Sequence, residues 1–309
     1  MRECGAISVA AGEKALHASG AMSLNPTTTV LRRFSPLAVA AGAIAVIATL
    51  TLRPAAEAAD PAPDAKAEAK PLKALLVIGG CCHDYNKQKD ILKAGIEARA
   101  NVVVDIAYSP DSGTKPKFEA YLKDNWYAGY DVIIHDECAA DVKELDYVEN
   151  VLAPHKKGIP GVNLHCAMHC YRVGDFRKPV TAGTMDAMWF DYLGLQSNGH
   201  GAQLPISITI VDKEHPSMAK SGDWTTVKEE LYNNISLLTA HPLAKGKQGD
   251  TETVVAWTNE YGPKKTRVWS TTIGHNNDTV ADARYLDMVT RGLLWSCDKL
   301  NDSYLKAAK

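Results

Sequence analysis

The chain has 309 residues, a formal net charge of −2 and 46% hydrophobic residues. That balance is the composition of a globular protein, and it leaves no basic field for binding nucleic acid. No internal repeat and no heptad run is present.

The first 70 residues differ from the rest. Arg32 and Arg33 precede an Ala/Val/Ile/Leu-rich run from Leu37 to Leu52, and Ala56-Glu57-Ala58-Ala59 follows as a small-residue cleavage pattern. A positive segment, an apolar segment and an A-x-A-like end read as a secretory signal over residues 1–59. The run is short and Ala-rich for a span, which takes about 20 apolar residues. An uncleaved N-terminal anchor is the alternative, and it is the single route to membrane association that the sequence offers. Translation from Met22 is a second alternative at this end. Residues 60–71 are rich in Ala, Pro and charge and read as a disordered linker. Residues 72–309 then form one folded domain, a length that suits a single core. An exported protein meets an oxidising compartment, so the six cysteines beyond the signal are candidates for pairing.

Lys73–Gly80 is a continuous apolar run ending in glycines, the pattern of a buried parallel strand. A helix follows over Lys87–Ala100, then a strand over Asn101–Tyr108 and a short helix over Phe118–Trp126. The third strand is Tyr130–His135, ending in Asp136-Glu137-Cys138. Val142–His155 is helical, with Gly158 as its stop. Ile159–Leu164 is the fourth strand. Four such alternations predict an α/β fold with a doubly wound parallel sheet. The second half is less regular. Met185–Leu193 reads as helix. Leu204–Val211, Ile235–Thr239, Thr253–Thr258 and Arg267–Ile273 read as strands, with Lys228–Tyr232 a short polar segment between them. Asp282–Cys297 is the last helix, with Tyr285, Val289 and Leu293 on one stripe.

Polar clusters fall after the strands: Cys81–His83 after the first, Asp136–Cys138 after the third, His165–Cys170 after the fourth, and Gly274–Asn277 after a late strand. Ligands gather beyond the carboxyl ends of parallel strands, so these clusters are predicted to meet at one edge. His83, His165 and His275 are the expected centre. His200, in the Ser197–Gly201 segment, is expected on a flexible loop able to close over it. His135, His155 and His241 read as structural or surface residues. Clustered imidazoles beside carboxylates suit a divalent metal such as zinc, or general acid–base work near neutral pH. No HExxH or comparable metal motif is present. Cys166 is read as a disulfide or inert thiol, with a nucleophile as the competing reading.

Six short pieces occur in order along the chain: Gly79–Asp84, Gly161–His165, His215-Pro216, Glu230–Tyr232, Arg267–His275 and Arg291–Trp295. Taken together they resemble the ThuA-like (trehalose utilisation) family within the class I glutamine amidotransferase-like superfamily. The resemblance implies a flavodoxin-like three-layer αβα sandwich with a mostly parallel central sheet, and a role in carbohydrate use. Amidotransferases of this fold carry a nucleophilic cysteine on the tight turn after the equivalent strand. Here that elbow falls on His165, and no glutamine-hydrolysing triad can be drawn.

These readings combine into an exported enzyme acting on a sugar or oxidised sugar. His83, His165 and His275 form its polar centre and the metal-ligating set. Glu230 serves as acid–base group or ligand. Tyr232, Trp189, His200 and Asn276 bind the carbohydrate. The competing readings are a non-catalytic carbohydrate-binding or scaffold protein and a hydrolase using Cys166. The expected partner is a small-molecule carbohydrate, and the oligomeric state, homo-oligomer included, stays open.

Overall fold

The computed structural model describes residues 69–307, so the readings made for the signal segment and most of the linker lie outside the described residues. Nine strands form one sheet there: β1 (Leu72–Gly80), β2 (Val102–Ser109), β3 (Val132–Cys138), β4 (Gly161–Leu164), β5 (Leu195–Ile210), β6 (Trp224–Leu237), β7 (His241–Gln248), β8 (Thr251–Tyr261) and β9 (Thr266–Thr271). Their spatial order is β2-β1-β3-β4-β9-β8-β7-β5-β6. Every pairing from β2 through β9 in that order is parallel, and every later one is antiparallel. The parallel core follows the flavodoxin-like order, with β9 in the fifth place.

The layers follow from the alternation of side chains along β1. Leu76 and Ile78 pack on one face with α1 (Tyr85–Arg99) and α5 (Ala283–Ser296), through Leu92, Ile96, Val289 and Leu293. Leu75 and Val77 face the other way, toward α2 (Leu145–Lys156) and α3 (Met188–Leu193), through Val148, Val151, Trp189 and Phe190. A strand buried on both faces must be apolar, and β1 is so from Ala74 to Gly80. Asp282 caps α5 by accepting from the Arg284 N–H at 2.8 Å, and Gly158, at φ +101°, ends α2 as the sequence predicts.

Four expectations are corrected. Asp136, Glu137 and Cys138 do not follow β3 but complete it, since β3 pairs with β1 as far as Gly80↔Cys138. Phe118–Trp126 contains only a 3₁₀ turn, Ala120–Leu122. Ser197–Gly201 is not a flexible loop. It lies within β5, where His200 pairs with Tyr232 across several bulges. Lys228–Tyr232 and Ile235–Thr239 belong largely to one long strand, β6, and β7 was not expected at all. The charge-rich run of β6 masks its period because it is an edge strand with irregular register.

β1 ends on backbone only glycine adopts without strain. Gly79 and Gly80 have φ of +137° and +106°, and a Cβ at Gly80 would run into the Cys138 carbonyl. Gly80→Ala is expected to cost about 2–4 kcal/mol in denaturant unfolding. Gly222→Ala, whose Cβ would meet nothing within 4 Å, is expected to change stability by less than about 1 kcal/mol. Equal effects of the two changes would refute this account of the β1 turn.

Candidate active site

His165 begins the turn after β4 in the left-handed region, at φ +42°, a conformation that a non-glycine residue holds only when its surroundings over-determine it. The predicted elbow is therefore present and carries a histidine. The imidazole is 1% exposed, and its Nδ1 lies 2.6 Å from the Thr272 carbonyl just past β9. A carbonyl only accepts, so Nδ1 carries the proton and Nε2 is turned toward the cluster. Nε2 lies 3.5 Å from Glu230 Oε2 and 3.4 Å from the Tyr232 hydroxyl.

The three expected histidines do meet. The His83 ring lies 4.5 Å from that of His165 and 4.9 Å from that of His275, edge to face in both pairs. Glu230 joins them from β6: its Oε1 is 3.2 Å from His275 Nδ1 and its Oε2 is 3.7 Å from His200 Nε2. One ligand-type atom from each of His83, His165, Glu230 and His275 lies within 4.8 Å of all the others. Nδ1 of His83 and Nδ1 of His275 are buried without a hydrogen-bond partner. The His275–Glu230 pair is thus close without hydrogen-bond alignment.

The electrostatics separate the imidazoles. Burial, then the charges of His165 and His275, push the His83 pKa well below the ordinary histidine value. Burial and His165 lower that of His275. Burial also opposes a charge on His165, but the hydrogen bond and charge of Glu230 outweigh it and raise the value. Burial works against the Glu230 carboxylate in turn, and His165, His200 and His275 overcome it to hold the group far below the usual range. The surroundings thus favour an ionised Glu230 and a proton on His165 Nε2 that a metal would have to displace, and they disfavour charge on His83 and His275.

Sequence reasoning missed the two residues that fix this arrangement. Glu229 is fully buried, and its carboxylate accepts from three successive backbone N–H groups: Gly274 at 3.2 Å, His275 at 2.9 Å and Asn276 at 2.9 Å. From the opposite side, Gln88 Nε2 of α1 donates to the Gly274 and His275 carbonyls at 3.3 and 3.1 Å. The signal available in the sequence was the Glu229-Glu230 pair itself, of which only one member was assigned a role.

The expected carbohydrate-binding residues divide. Asn276 caps α4 (Asn277–Val280) and, with Cys82, His83, Asp84, His275, Asn277 and Asp278, lines an open cleft of about 370 Å³. His200 reaches the cluster from β5 with 17% of its side chain exposed. Tyr232 is 1% exposed and stacks on His169 at 4.1 Å, so its hydroxyl and not its ring face meets the site. Trp189 is not brought to the cluster: it is buried in the core and donates to the Ala167 carbonyl at 2.8 Å. His169 bonds Ser197 and backs Tyr232. Cys166 is paired with Cys138 in a disulfide, which removes the free thiol that a hydrolase would need. His135 and His155 are buried against one another as expected, 3.0 Å apart. A larger groove of about 870 Å³, lined by Arg99, Trp224, Arg284 and Arg291, includes none of the clustered histidines.

The trehalose-utilisation family ThuA matches residues 74–296, well over half of the chain. The chain belongs to the ThuA family. Among solved structures, it is similar to a ThuA-like protein from Parabacteroides merdae ATCC 43184, at 18% identity and a TM-score of 0.55, over 74% of this chain and 90% of that one. A ThuA-like protein from Bacteroides uniformis ATCC 8492 matches at 14% identity and a TM-score of 0.51, over 76% and 94%. A glutamine amidotransferase from Thermotoga maritima also matches, at 12% identity and a TM-score of 0.41, over 74% and 96%. Among curated proteins no match is found. Gly79–Asp84, Gly161–His165 and Arg267–His275, the segments that carry His83, His165 and His275, all lie within the matched residues.

Glu229→Ala leaves one buried and two part-buried N–H groups without an acceptor. Charged hydrogen bonds are worth about 1.5–3 kcal/mol each, so a loss of about 3 kcal/mol or more is expected in denaturant unfolding, with a smaller loss for Glu229→Gln. Full stability in Glu229→Ala would show that the turn holds itself.

Proposed function

We propose that this ThuA-family chain is an exported enzyme of carbohydrate use whose centre, His83, His165, Glu230 and His275, binds one divalent cation such as zinc and works by proton transfer on a sugar or keto-sugar. The observation that carries the reading is the convergence of three imidazoles and a carboxylate within 4.8 Å, with two of the imidazole nitrogens buried and unpartnered. Unpaired buried polar atoms are costly, and a shared cation would satisfy them together. Donor atoms around a tetrahedral zinc stand about 3.3–3.5 Å apart, and the Glu230 contacts to His165 and His275, at 3.5 and 3.2 Å, are close to that spacing. The Thr272 carbonyl on His165 Nδ1 is the outer partner that metal-binding histidines require, leaving Nε2 for the cation. When bound, the cation would polarise a carbonyl or hydroxyl oxygen.

The protein's own groups divide the remaining work. A sugar enters by the cleft between Cys82–Asp84 and His275–Asp278, whose Asp84, Asn276 and Asn277 offer polar groups to its hydroxyls. His200 lies 3.7 Å from Glu230 and is partly exposed, so it can exchange a proton with a bound substrate or solvent. Tyr232 and His169 hold His165 in place. The family's trehalose-utilisation description supports the substrate class. The Arg32–Ala59 segment supports export.

Elemental analysis of the full chain after equilibration with zinc is expected to find one equivalent. His165→Ala and Glu230→Ala are each expected to weaken binding by about 100-fold or more. Turnover, screened over disaccharides and keto-sugars, is expected to fall about 10²–10⁴-fold in His165→Ala with the fold retained by circular dichroism. Metal content and turnover unchanged in His165→Ala would overturn the reading. Sugar binding without turnover in the intact chain would make the protein a binding module instead.

A further inference from the structure

We propose a second centre beside the histidines: Cys81, Cys82, Cys138 and Cys166 form a thiol–disulfide exchange relay that takes a dithiol as its substrate. Two disulfides occupy this place, Cys81–Cys82 in the loop after β1 and Cys138–Cys166 from the end of β3 to the turn after β4. They are not independent. Cys81 Sγ lies 3.4 Å from Cys138 Sγ, in van der Waals contact across the two bridges, and the sulfurs of Cys81, Cys82 and Cys138 all lie within 4.8 Å of one another. Access is graded along the path. Cys82 is exposed and lines the open cleft, whereas Cys81, Cys138 and Cys166 are at most 6% exposed. Cys82 itself stands at φ +83°. The path ends at the histidines: Cys82 precedes His83, Cys166 follows His165, and a His83 ring nitrogen lies within 4.8 Å of the sulfurs of Cys138 and Cys166. The two remaining thiols stand apart from the exchange. Cys170 donates to the Glu137 carbonyl at 2.9 Å, with burial raising its pKa, and Cys297 caps the C-terminal end of α5.

The exchange balances as follows in atoms and electrons. One thiolate of the dithiol attacks Cys82 Sγ, on the one exposed residue of the four. A mixed disulfide forms there and Cys81 leaves as thiolate. Cys81 then attacks Cys138 across the 3.4 Å contact. The Cys81–Cys138 bond forms, the Cys138–Cys166 bond breaks, and Cys166 takes up the proton that the first sulfhydryl released. The second thiol of the reagent attacks its own mixed disulfide, closing the oxidised reagent and returning Cys82 as a thiol. Two electrons and two protons pass from the dithiol to the protein, and the buried product is a Cys166 thiol next to His165. The relay does not depend on the carbohydrate or metal reading, because no sulfur belongs to the four proposed ligands.

The experiment uses the full oxidised chain, without added metal, and dithiothreitol as the probe. One equivalent is added, free thiols are trapped with iodoacetamide, and digested peptides are read by tandem mass spectrometry. The expected product is a Cys81–Cys138 linked peptide, in roughly half or more of the reacted protein, with the label on Cys82 and Cys166. In Cys82→Ser the Cys81 thiol is free from the start, so the Cys81–Cys138 link and a labelled Cys166 are expected without any reductant. Labelling confined to Cys81 and Cys82, with Cys138–Cys166 intact, would overturn the relay. So would the absence of either starting disulfide from the untreated chain, or a Cys82→Ser protein that keeps Cys138–Cys166 and a labelled Cys81.

Discussion

A single buried carboxylate holds the working end of this molecule together. Glu229 sits on β6 and binds three consecutive backbone N–H groups of the turn after β9. The antiparallel extension of the sheet is thereby tied back onto the carboxyl ends of its parallel core. Buried carboxyl oxygens need hydrogen-bond partners, and this turn supplies three successive N–H donors. His275 owes its position to that grip, and Glu230, the next residue on the same strand, faces the three histidines because Glu229 faces the turn. Gln88 completes the hold by binding the carbonyls of the same turn from α1.

Strain concentrates at the same edge. Gly79, Gly80, Cys82, His165 and Gly274 all have positive φ, and they lie at the ends of β1, β4 and β9. Gly274 has no room for a side chain: a Cβ there would meet the Tyr285 hydroxyl at 2.8 Å and His165 Cβ at 3.4 Å. Three strand ends are turned sharply so that residues immediately following them point at one another. Packing of the two cores below supplies the stability that such backbone requires.

The histidine and cysteine groups share this edge and divide its chemistry. The imidazoles gather around Glu230, while the sulfurs pair in two touching disulfides. His83 borders both groups. The crowded His165–Cys170 segment separates along the same line: His165 faces Glu230, Cys166 faces Cys138, His169 supports Tyr232, and Cys170 is spent on backbone groups of the β3 end.

The sequence by itself determined the parallel core, because an apolar run such as Lys73–Gly80 can be satisfied only with helices on both faces. It also determined that His83, His165 and His275 belong together, since each follows a parallel strand and such ends share one edge. Glu230 was legible through its place in the family's motif. The tertiary structure alone decided the roles of Glu229 and Gln88, whose partners are backbone groups 45 or more residues away and leave no mark on local pattern. It decided that Tyr232 and Trp189 are supports, because ring burial depends on what packs over a strand or helix and not on the residue type. It placed His200 on a strand and not on a loop, because the bulged pairing of β5 with β6 overrides a Gly- and Asn-rich sequence. And it decided the cysteine pairing, since four cysteines from three strand ends admit several pairings and only their spatial order selects one.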